Sequence, residues 1–186
     1  MKIAIISASV RTGRNSHRVA LYFKNYIEEN SIGTVDLVDL NEYKFPVFDE
    51  RLRFMKNPSP GVLQFADRIK TAEGIIIVTP EYNGGYPASL KNVIDLLYPE
   101  WKRKPIAVAT ASDGQFGGTQ VTTSLVFSLW KIGAWVVPAM YPVPKVQEAY
   151  NENGVPADKQ RTDKRAKTFV DELCWCMEAS LKMSAG

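Results

Sequence analysis

The strongest constraint on the fold is a run of large apolar residues, Ile75-Ile76-Ile77-Val78, with no polar residue in alternation. A strand with one face in water alternates apolar and polar side chains, so a continuous apolar run indicates a strand covered on both faces. The run leads into a loop with two prolines and two glycines at 79–87, and then into an amphipathic segment at 88–98. This order of strand, loop and helix predicts one unit of a parallel α/β sheet.

The same alternation of strand and helix continues along the chain. Short apolar strands are predicted at residues 2–8, 34–40, 74–79, 105–111 and 134–140. Helical periodicity predicts helices from 15 or 16 to about 27 and at 58–71, 88–98, 120–132 and 158–183. We therefore predict an α/β fold with a five-stranded parallel sheet, helices on both of its faces, and a single domain over residues 1–186.

Composition narrows the class of protein. Hydrophobic residues make up 45% of the chain and charged residues 23%, as in ordinary globular proteins, and a net charge of +3 does not argue for nucleic acid. No segment approaches the roughly 20 apolar residues of a membrane span, and the N-terminus enters a strand without a signal peptide, so we expect a cytoplasmic protein. Cys174 and Cys176 lack a histidine partner, and we expect reduced thiols and no metal site.

Three loops of the predicted sheet carry the chemistry, because the loops after strands one, three and four gather at its carboxyl edge. The first loop, 7–17, has hydroxyl groups, a glycine, and the two arginines Arg11 and Arg14 just before a helix. No acidic residue occurs from Met1 to Ile27, and helix N-termini and arginines favour anions. We predict a site for a phosphate monoester; a solvated polar turn is the alternative. The glycine patterns of a dinucleotide Rossmann loop and of a P-loop are both absent after strand one.

The second and third loops suit a flat ring. Residues 80–84 offer apolar walls and backbone donors and acceptors, and their glycine lets the backbone approach a ligand closely. The third loop, 112–118, contains three glycines and Phe116, which is able to cover a ring. A purely structural turn with Glu81 in solvent is the alternative for the second loop. Facing one another, the two loops predict opposite walls of a flavin site.

Three motifs carry a resemblance to a known family. They are Ser9-x-Arg11, Thr79-Pro80-Glu81-Tyr82-Asn83 followed by Leu90-Lys91-Asn92-x-x-Asp95, and Ser112-x-Gly114-x-x-Gly117-Gly118. Together they resemble the NADPH-dependent FMN reductase family, which includes quinone, chromate and azo-dye reductases. The resemblance implies a flavodoxin-like three-layer α/β/α sandwich with strand order 2-1-3-4-5. It also implies FMN as cofactor, NADPH or NADH as co-substrate, and a homodimer or homotetramer.

The resemblance also implies roles for single residues. Ser9, Arg11 and Ser16 are expected to hold the FMN phosphate. The first loop is two residues longer than the family pattern S-x-R-x-x-S-x-N, so a further phosphate contact is expected from Arg14, Asn15 or His17. The flavin ring and ribityl chain are expected to lie against the residues Pro80, Glu81, Tyr82, Asn83 and Gly84. The other side is expected to be closed by Ser112, Gly114 and Gly117. Subunit contacts are expected at Tyr86, Leu97, Tyr98 and Trp101.

The expected mechanism places the redox chemistry on the flavin, with the protein supplying position and electrostatics. NAD(P)H is expected to deliver hydride to flavin N5, and a small acceptor then takes the electrons at the same face in a ping-pong cycle. The acceptor is expected to be a quinone, an azo compound, chromate or free flavin. No side-chain acid or base is required; Tyr82 is a candidate proton source, and His17 is expected near the phosphate rather than as a base.

Other functions remain open at this point. A flavodoxin-like electron carrier without reductase activity is the main alternative, although such carriers are strongly acidic and lack arginines in the phosphate loop. A receiver-type signalling domain would need acidic residues where this chain has Ser7-Ala8-Ser9. Asp36 and Asp39 follow a pattern that could indicate ribose recognition after strand two. Because the glycine pattern of a dinucleotide-binding loop is absent, we expect both aspartates to be solvated in the strand and loop.

Overall fold

The computed structural model describes residues 1–184, and a five-stranded sheet with all neighbouring strands parallel lies at its centre. The strands are β1 (Lys2–Ser7), β2 (Thr34–Asp39), β3 (Gly74–Pro80), β4 (Pro105–Ala111) and β5 (Trp135–Val143). Their order across the sheet is β2-β1-β3-β4-β5. The predicted fold class and strand order are confirmed.

Helices cover both faces of this sheet. They are α1 (Ser16–Glu29), α2 (Leu40–Tyr43), α3 (Pro60–Thr71), α4 (Ala88–Leu96), α5 (Gln120–Lys131), α6 (Val146–Ala149) and α7 (Lys159–Ser184), with 3-10 turns at Leu52–Phe54 and Pro99–Trp101. The start of α3 shows how local sequence sets a boundary. The Ser59 hydroxyl accepts a hydrogen bond from the Val62 amide at 3.4 Å, and Pro60 occupies the first turn.

The core is divided between the two faces of the sheet. On one face α1 and α7 pack through Phe23, whose ring lies 4.9 Å from that of Tyr141 and 5.3 Å from that of Phe169. On the other face α3, α4 and α5 pack around Phe65, Leu90 and other fully buried residues. This double covering is what the unbroken apolar sequence of β3 requires.

The expected subunit contacts are partly wrong. Leu97 and Trp101 are fully buried in the core of their own chain, where Trp101 packs against Phe65 at a ring distance of 6.5 Å. They are therefore not available to a second subunit. Tyr98 is exposed, and the Tyr86 hydroxyl lies 2.8 Å from the Ser128 hydroxyl on α5.

Strand β5 is longer than predicted, and the difference shapes the site. It continues past Met140 to Val143, because a register shift between Ile106 and Val108 restores its pairing with β4. β5 contains Pro138 and Pro142, which an edge strand tolerates because an N–H that faces away from the sheet makes no ladder bond. The extension carries residues 143–146 to the carboxyl edge of the sheet.

Within residues 1–184, no helix combines the length and the apolar character needed to cross a membrane.

Candidate functional site

The start of α1 leaves donors free at the carboxyl end of β1. Asn15 caps the helix without a side-chain hydrogen bond, and the first turn contains no acidic residue. The hydroxyl of Ser16 is buried and has no hydrogen-bond partner within the described chain. Arg11 is exposed, and its guanidinium has no carboxylate within 4.0 Å among residues 1–184. Uncapped amides, an unpartnered hydroxyl and a free guanidinium are all groups that favour an anion.

Arg14 has a different role from Arg11. Its guanidinium forms a two-pronged ion pair with the Asp39 carboxylate at the end of β2, and it also donates to the Ser9 carbonyl at 3.0 Å. Asp39 is 5% exposed. Burial alone would raise the pKa of Asp39, but hydrogen bonds from Arg14 and the Asn41 amide outweigh burial and lower it. Arg14 therefore braces the first loop against β2.

The two aspartates of β2 are paired rather than solvated, which corrects the expectation from sequence. Asp39 pairs with Arg14, and Asp36 pairs with Arg68 of α3, whose Nε lies 3.1 Å from both carboxylate oxygens. Arg68 also donates to the Tyr43 hydroxyl at 2.7 Å. Both carboxylates thus stabilise the packing of neighbouring elements.

His17 lies behind the first loop. Its Nδ1 is 2.9 Å from the buried hydroxyl of Ser7 and 3.8 Å from the Asp39 carboxylate. Burial lowers the pKa of His17 below its ordinary value of 6.5, and the Arg14 cation lowers it further, against the opposite pull of Asp39 and Glu42. The imidazole is therefore neutral at pH 7.

The second loop is a miniature hairpin. Tyr82 and Gly85 exchange backbone hydrogen bonds of 2.8 and 3.0 Å, and Asn83 and Gly84 between them have φ of 52° and 81°. Two positive φ angles in a row define a type I′ turn, for which Asn-Gly is the preferred sequence. Gly84 thus serves the turn itself. The Asn-Gly pair was a signal from which the hairpin could have been predicted.

A hydrogen bond ties the hairpin to the first loop. The Tyr82 hydroxyl lies 2.7 Å from the hydroxyl of Ser9, which is fully buried and also accepts from the Arg11 amide at 3.3 Å. The Glu81 amide donates to the Ala111 carbonyl at 3.3 Å, so the hairpin is also joined to β4. The Glu81 carboxylate makes no hydrogen bond or ion pair within residues 1–184.

The third loop is held by the extended β5. The Lys145 amide donates to the Gly114 carbonyl and the Val146 amide to the Ser112 carbonyl, each at 3.1 Å. Gly117 has φ of 62°, and a Cβ there would lie 2.9 Å from the Val143 amide nitrogen. Its carbonyl accepts from the buried Thr110 hydroxyl at 2.7 Å. Gly117 therefore allows close packing of the loop on β5.

The three loops enclose a cavity of about 260 Å³, here called the three-loop cavity. It is lined by Ser9, Arg11, Gly13, Arg14, Asn15, Ser16, Pro80, Glu81, Tyr82, Ala111, Ser112, Asp113 and Val146. Five residues expected at the site lie outside this lining, namely His17, Asn83, Gly84, Gly114 and Gly117. Four lining residues were not among the predicted site residues, namely Gly13, Ala111, Asp113 and Val146. No local signal marks Val146, because it reaches the cavity only through the extension of β5.

The donor set of this cavity fits a phosphate-bearing cofactor. A buried hydroxyl without a partner, an unpaired guanidinium and an uncapped helix N-terminus belong to residues that line this one cavity. A phosphate monoester would satisfy all three at once. No group of three or more metal-ligating side chains occurs within residues 1–184. The fold is flavodoxin-like, and its cavity lies at the carboxyl edge of the sheet, where open α/β sheets bind ligands.

Comparison with known proteins agrees with this class. The profile of the family described as NADPH-dependent FMN reductase matches residues 1–148. The NAD(P)H-dependent FMN reductase LOT6 of Saccharomyces cerevisiae is 39% identical over 139 residues, covering 67% of this chain and 71% of the relative. A quinone reductase of Pseudomonas putida is 30% identical over 135 residues, covering 67% and 69%.

A solved structure supports the fold. The flavoenzyme NAD(P)H:(acceptor) oxidoreductase FerB of Paracoccus denitrificans superposes with a TM-score of 0.78, over 95% of this chain and 97% of FerB, at 24% identity. The chain belongs to the NADPH-dependent FMN reductase family. It is an oxidoreductase with FMN as cofactor and NAD(P)H as co-substrate, as the motifs implied.

The Arg14–Asp39 pair should contribute strongly to stability. Asp39→Asn leaves a guanidinium that is 17% exposed without its carboxylate. We expect the free energy of unfolding in urea at pH 7 to fall by about 3 kcal/mol. Glu28→Gln, which breaks the exposed pair with Lys24, should cost less than about 0.5 kcal/mol. Equal losses in the two variants would contradict the bracing role of Arg14.

His17 should make stability depend on pH. The unfolded chain binds a proton at His17 near pH 6.5, whereas the folded chain keeps it neutral to lower pH. Stability is therefore complete above about pH 6.5 and falls as the pH decreases below that value. His17 is the only histidine, so urea unfolding of His17→Asn at pH 7, 6 and 5 should show a smaller decrease than wild type. Parallel curves would contradict this assignment.

Proposed function

We propose that FMN binds in the three-loop cavity with its phosphate at the N-terminus of α1. The observation that carries this proposal is the buried, unpartnered Ser16 hydroxyl in a cavity that the unpaired Arg11 also lines. Ser16, Arg11 and the first amides of α1 would bind the phosphate oxygens, with Asn15 beside them. The Ser9 hydroxyl, which is bonded to the Tyr82 hydroxyl, would either turn to the phosphate or stay in place and support the Tyr82 ring. Arg14 and His17 would position the loop rather than bind the phosphate.

The flavin ring would lie at the rim of the cavity. A volume of about 260 Å³ is below the roughly 300–1,000 Å³ of pockets that enclose a whole ligand. The cavity therefore suits the phosphate and ribityl end, with the ring between the hairpin at 80–84 and the loop at 112–117. Phe116, which is 84% exposed on the third loop, is available to cover it. Asn83, Gly84, Gly114 and Gly117 would shape these two walls through the backbone.

In the proposed reaction FMN would supply the redox chemistry, and the three loops would position it. Bound FMN would supply two-electron transfer between NAD(P)H and a second substrate, in a ping-pong cycle. The backbone amides of residues 82–84 and 113–117 would stabilise negative charge that develops on the ring. Relatives named quinone reductase and azoreductase support a quinone or an azo compound as acceptor. Chromate and free flavin remain further candidates.

We also propose that residues 1–186 act as one flavin-binding domain that self-associates in the cytoplasm, without nucleic acid or membrane as partner. The rings of Phe127 and Trp130 on α5 lie 6.0 Å apart and are 63% and 66% exposed. Such an exposed aromatic pair supports a homodimer or homotetramer. Light scattering measures the state directly, and a monomer at all accessible concentrations would contradict the proposal.

The visible spectrum tests the activity. The purified protein should carry, or take up, FMN, and anaerobic NADPH or NADH should bleach the flavin absorbance. Addition of a quinone should then restore the absorbance. A colourless protein that FMN does not reconstitute would contradict the cofactor site. Bleaching by neither nucleotide would favour an electron carrier.

The phosphate site is tested by two variants. Arg11→Gln should raise the Kd for FMN about 10- to 100-fold, because a charge-assisted contact is lost. Ser16→Ala should also raise it. Fluorescence titration of the apoprotein measures both, with Arg161→Gln, an exposed change on α7, as the control. An unchanged Kd for Arg11→Gln would overturn the phosphate assignment.

A further inference from the structure

An apolar pocket adjoins the first loop, next to the three-loop cavity. It has a volume of about 650 Å³, which is within the range of pockets that bind small molecules. One face of α4 forms its long side, and it is here called the α4 pocket. Its apolar walls include the side chains of Val10, Leu40, Phe45, Pro46, Phe48 and Ala88.

The α4 pocket shares two loops with the proposed flavin site. Val10 lines the pocket, and its two sequence neighbours, Ser9 and Arg11, line the three-loop cavity. Ala88 directly follows the second loop at 79–87, and the Ser89 hydroxyl donates to a backbone carbonyl of the first loop at 2.6 Å. A ligand at the rim of the three-loop cavity is therefore able to extend past Val10 into the α4 pocket.

The pocket is elongated along the helix. Its lining residues on α4 include Ala88, Lys91, Asn92 and Asp95, whose spacing places them on one helix face. The seven positions from Ala88 to Asp95 correspond to about 10 Å along the helix axis. An extended octyl chain has about this length.

The wall opposite α4 is held in place by the protein itself. The Phe45 ring stacks on Tyr43 at 4.9 Å and meets the edge of the buried Phe65 ring at 5.6 Å. The Asn92 side chain donates to the Pro46 carbonyl at 2.7 Å and accepts from the Phe48 amide. Because this wall does not need to form on binding, little ordering entropy opposes a ligand.

Most polar side chains of the pocket already have partners. Asn92 is bonded to the opposite wall, Ser89 to the first loop, and Lys91 to Asp95. Lys44 is exposed, and a lysine is able to line an apolar wall with its stem while its ammonium group stays in water. A sugar or a phosphate would lose its hydration here without sufficient new hydrogen bonds, whereas a hydrocarbon gains from burial.

We propose that the α4 pocket binds the hydrocarbon side chain of a quinone acceptor, whose ring lies beside the flavin at the rim of the three-loop cavity. This inference rests on the proposed function, because it extends the acceptor site of the same reaction. A redox ring joined to a hydrocarbon chain matches a cofactor site that continues into an apolar pocket. The pocket therefore favours quinones with an alkyl or isoprenoid chain over chromate, free flavin and quinones without a chain.

The test measures binding of oxidised quinones to the protein loaded with oxidised FMN, so that no electrons move and binding is separated from turnover. Calorimetry compares fully substituted 1,4-benzoquinones that carry a methyl, a butyl, an octyl or a dodecyl chain. The Kd should fall by up to about fourfold for each methylene group that is buried. The fall should stop near the octyl chain, because a longer chain extends beyond the pocket.

A double variant places charge in the pocket. Val47 lines the pocket and is 89% exposed, and Ala88 is exposed in the first turn of α4, where an acidic residue suits the helix dipole. Val47→Glu combined with Ala88→Glu should bind FMN and the methyl quinone as wild type does, and lose the dependence of Kd on chain length. The control, Val155→Glu combined with Leu181→Glu, adds the same charges at exposed positions outside the pocket and should keep that dependence.

Three results would overturn the proposal. The first is a Kd in wild type that does not depend on chain length, and the second is a dependence that survives in the double variant of the pocket. The third is a lower molar mass of that variant in light scattering, which would show that the pocket is a contact between copies of the chain. Failure of the proposed function looks different, since reduced flavin would then be reoxidised by no quinone, whatever chain it carries.

Discussion

Parallel pairing of the five strands places the carboxyl ends of β1, β3 and β4 at one edge of the sheet. Because β3 is apolar throughout, helices must cover both of its faces, and polar loops are confined to the two edges. The hydroxyls, the free guanidinium and the glycines that this chain offers a ligand therefore meet at a single place. The three-loop cavity is a consequence of this packing, and it needs no dedicated domain.

The loops at the carboxyl edge of the sheet are held together by hydrogen bonds and an ion pair. These contacts involve some polar side chains of the loops and leave others unpaired. Arg14 is neutralised by Asp39, and Tyr82 is bonded to Ser9, so these groups hold the loops together. The side chains of Arg11 and Ser16 make no such contacts among the described residues. Of two arginines three positions apart, Arg14 therefore supports the loop, and Arg11 keeps the unpaired guanidinium on which the proposed phosphate site depends. Fixed loops also lower the entropy that ligand binding must overcome.

Helix α4 runs from the first loop to the surface around Tyr98. Its N-terminal end adjoins the first loop through Ser89, and its C-terminal end leads to the aromatic ring that supports Arg51 and Arg53. The Asn92 side chain holds the loop at residues 44–48 against this helix. The motif Leu90-Lys91-Asn92-x-x-Asp95 thus has a physical meaning, with Leu90 in the core, Asn92 as the clamp and Lys91 paired with Asp95.

The sequence by itself determined the strands, the long helices and the chemistry of the three loops. Apolar runs, helical periodicity and the residue types around Ser9, Arg11 and Gly84 are local properties. Such patterns can be recognised in the sequence before the fold is known. Only the tertiary structure decided that Arg14 meets Asp39, that Ser9 meets Tyr82, that Trp101 is buried, and that Val146 reaches the cavity. These contacts join residues distant in the chain or depend on the register of β5, and several partners compete for each polar group. Burial and geometry choose among them, and neither is encoded in the spacing of residue types.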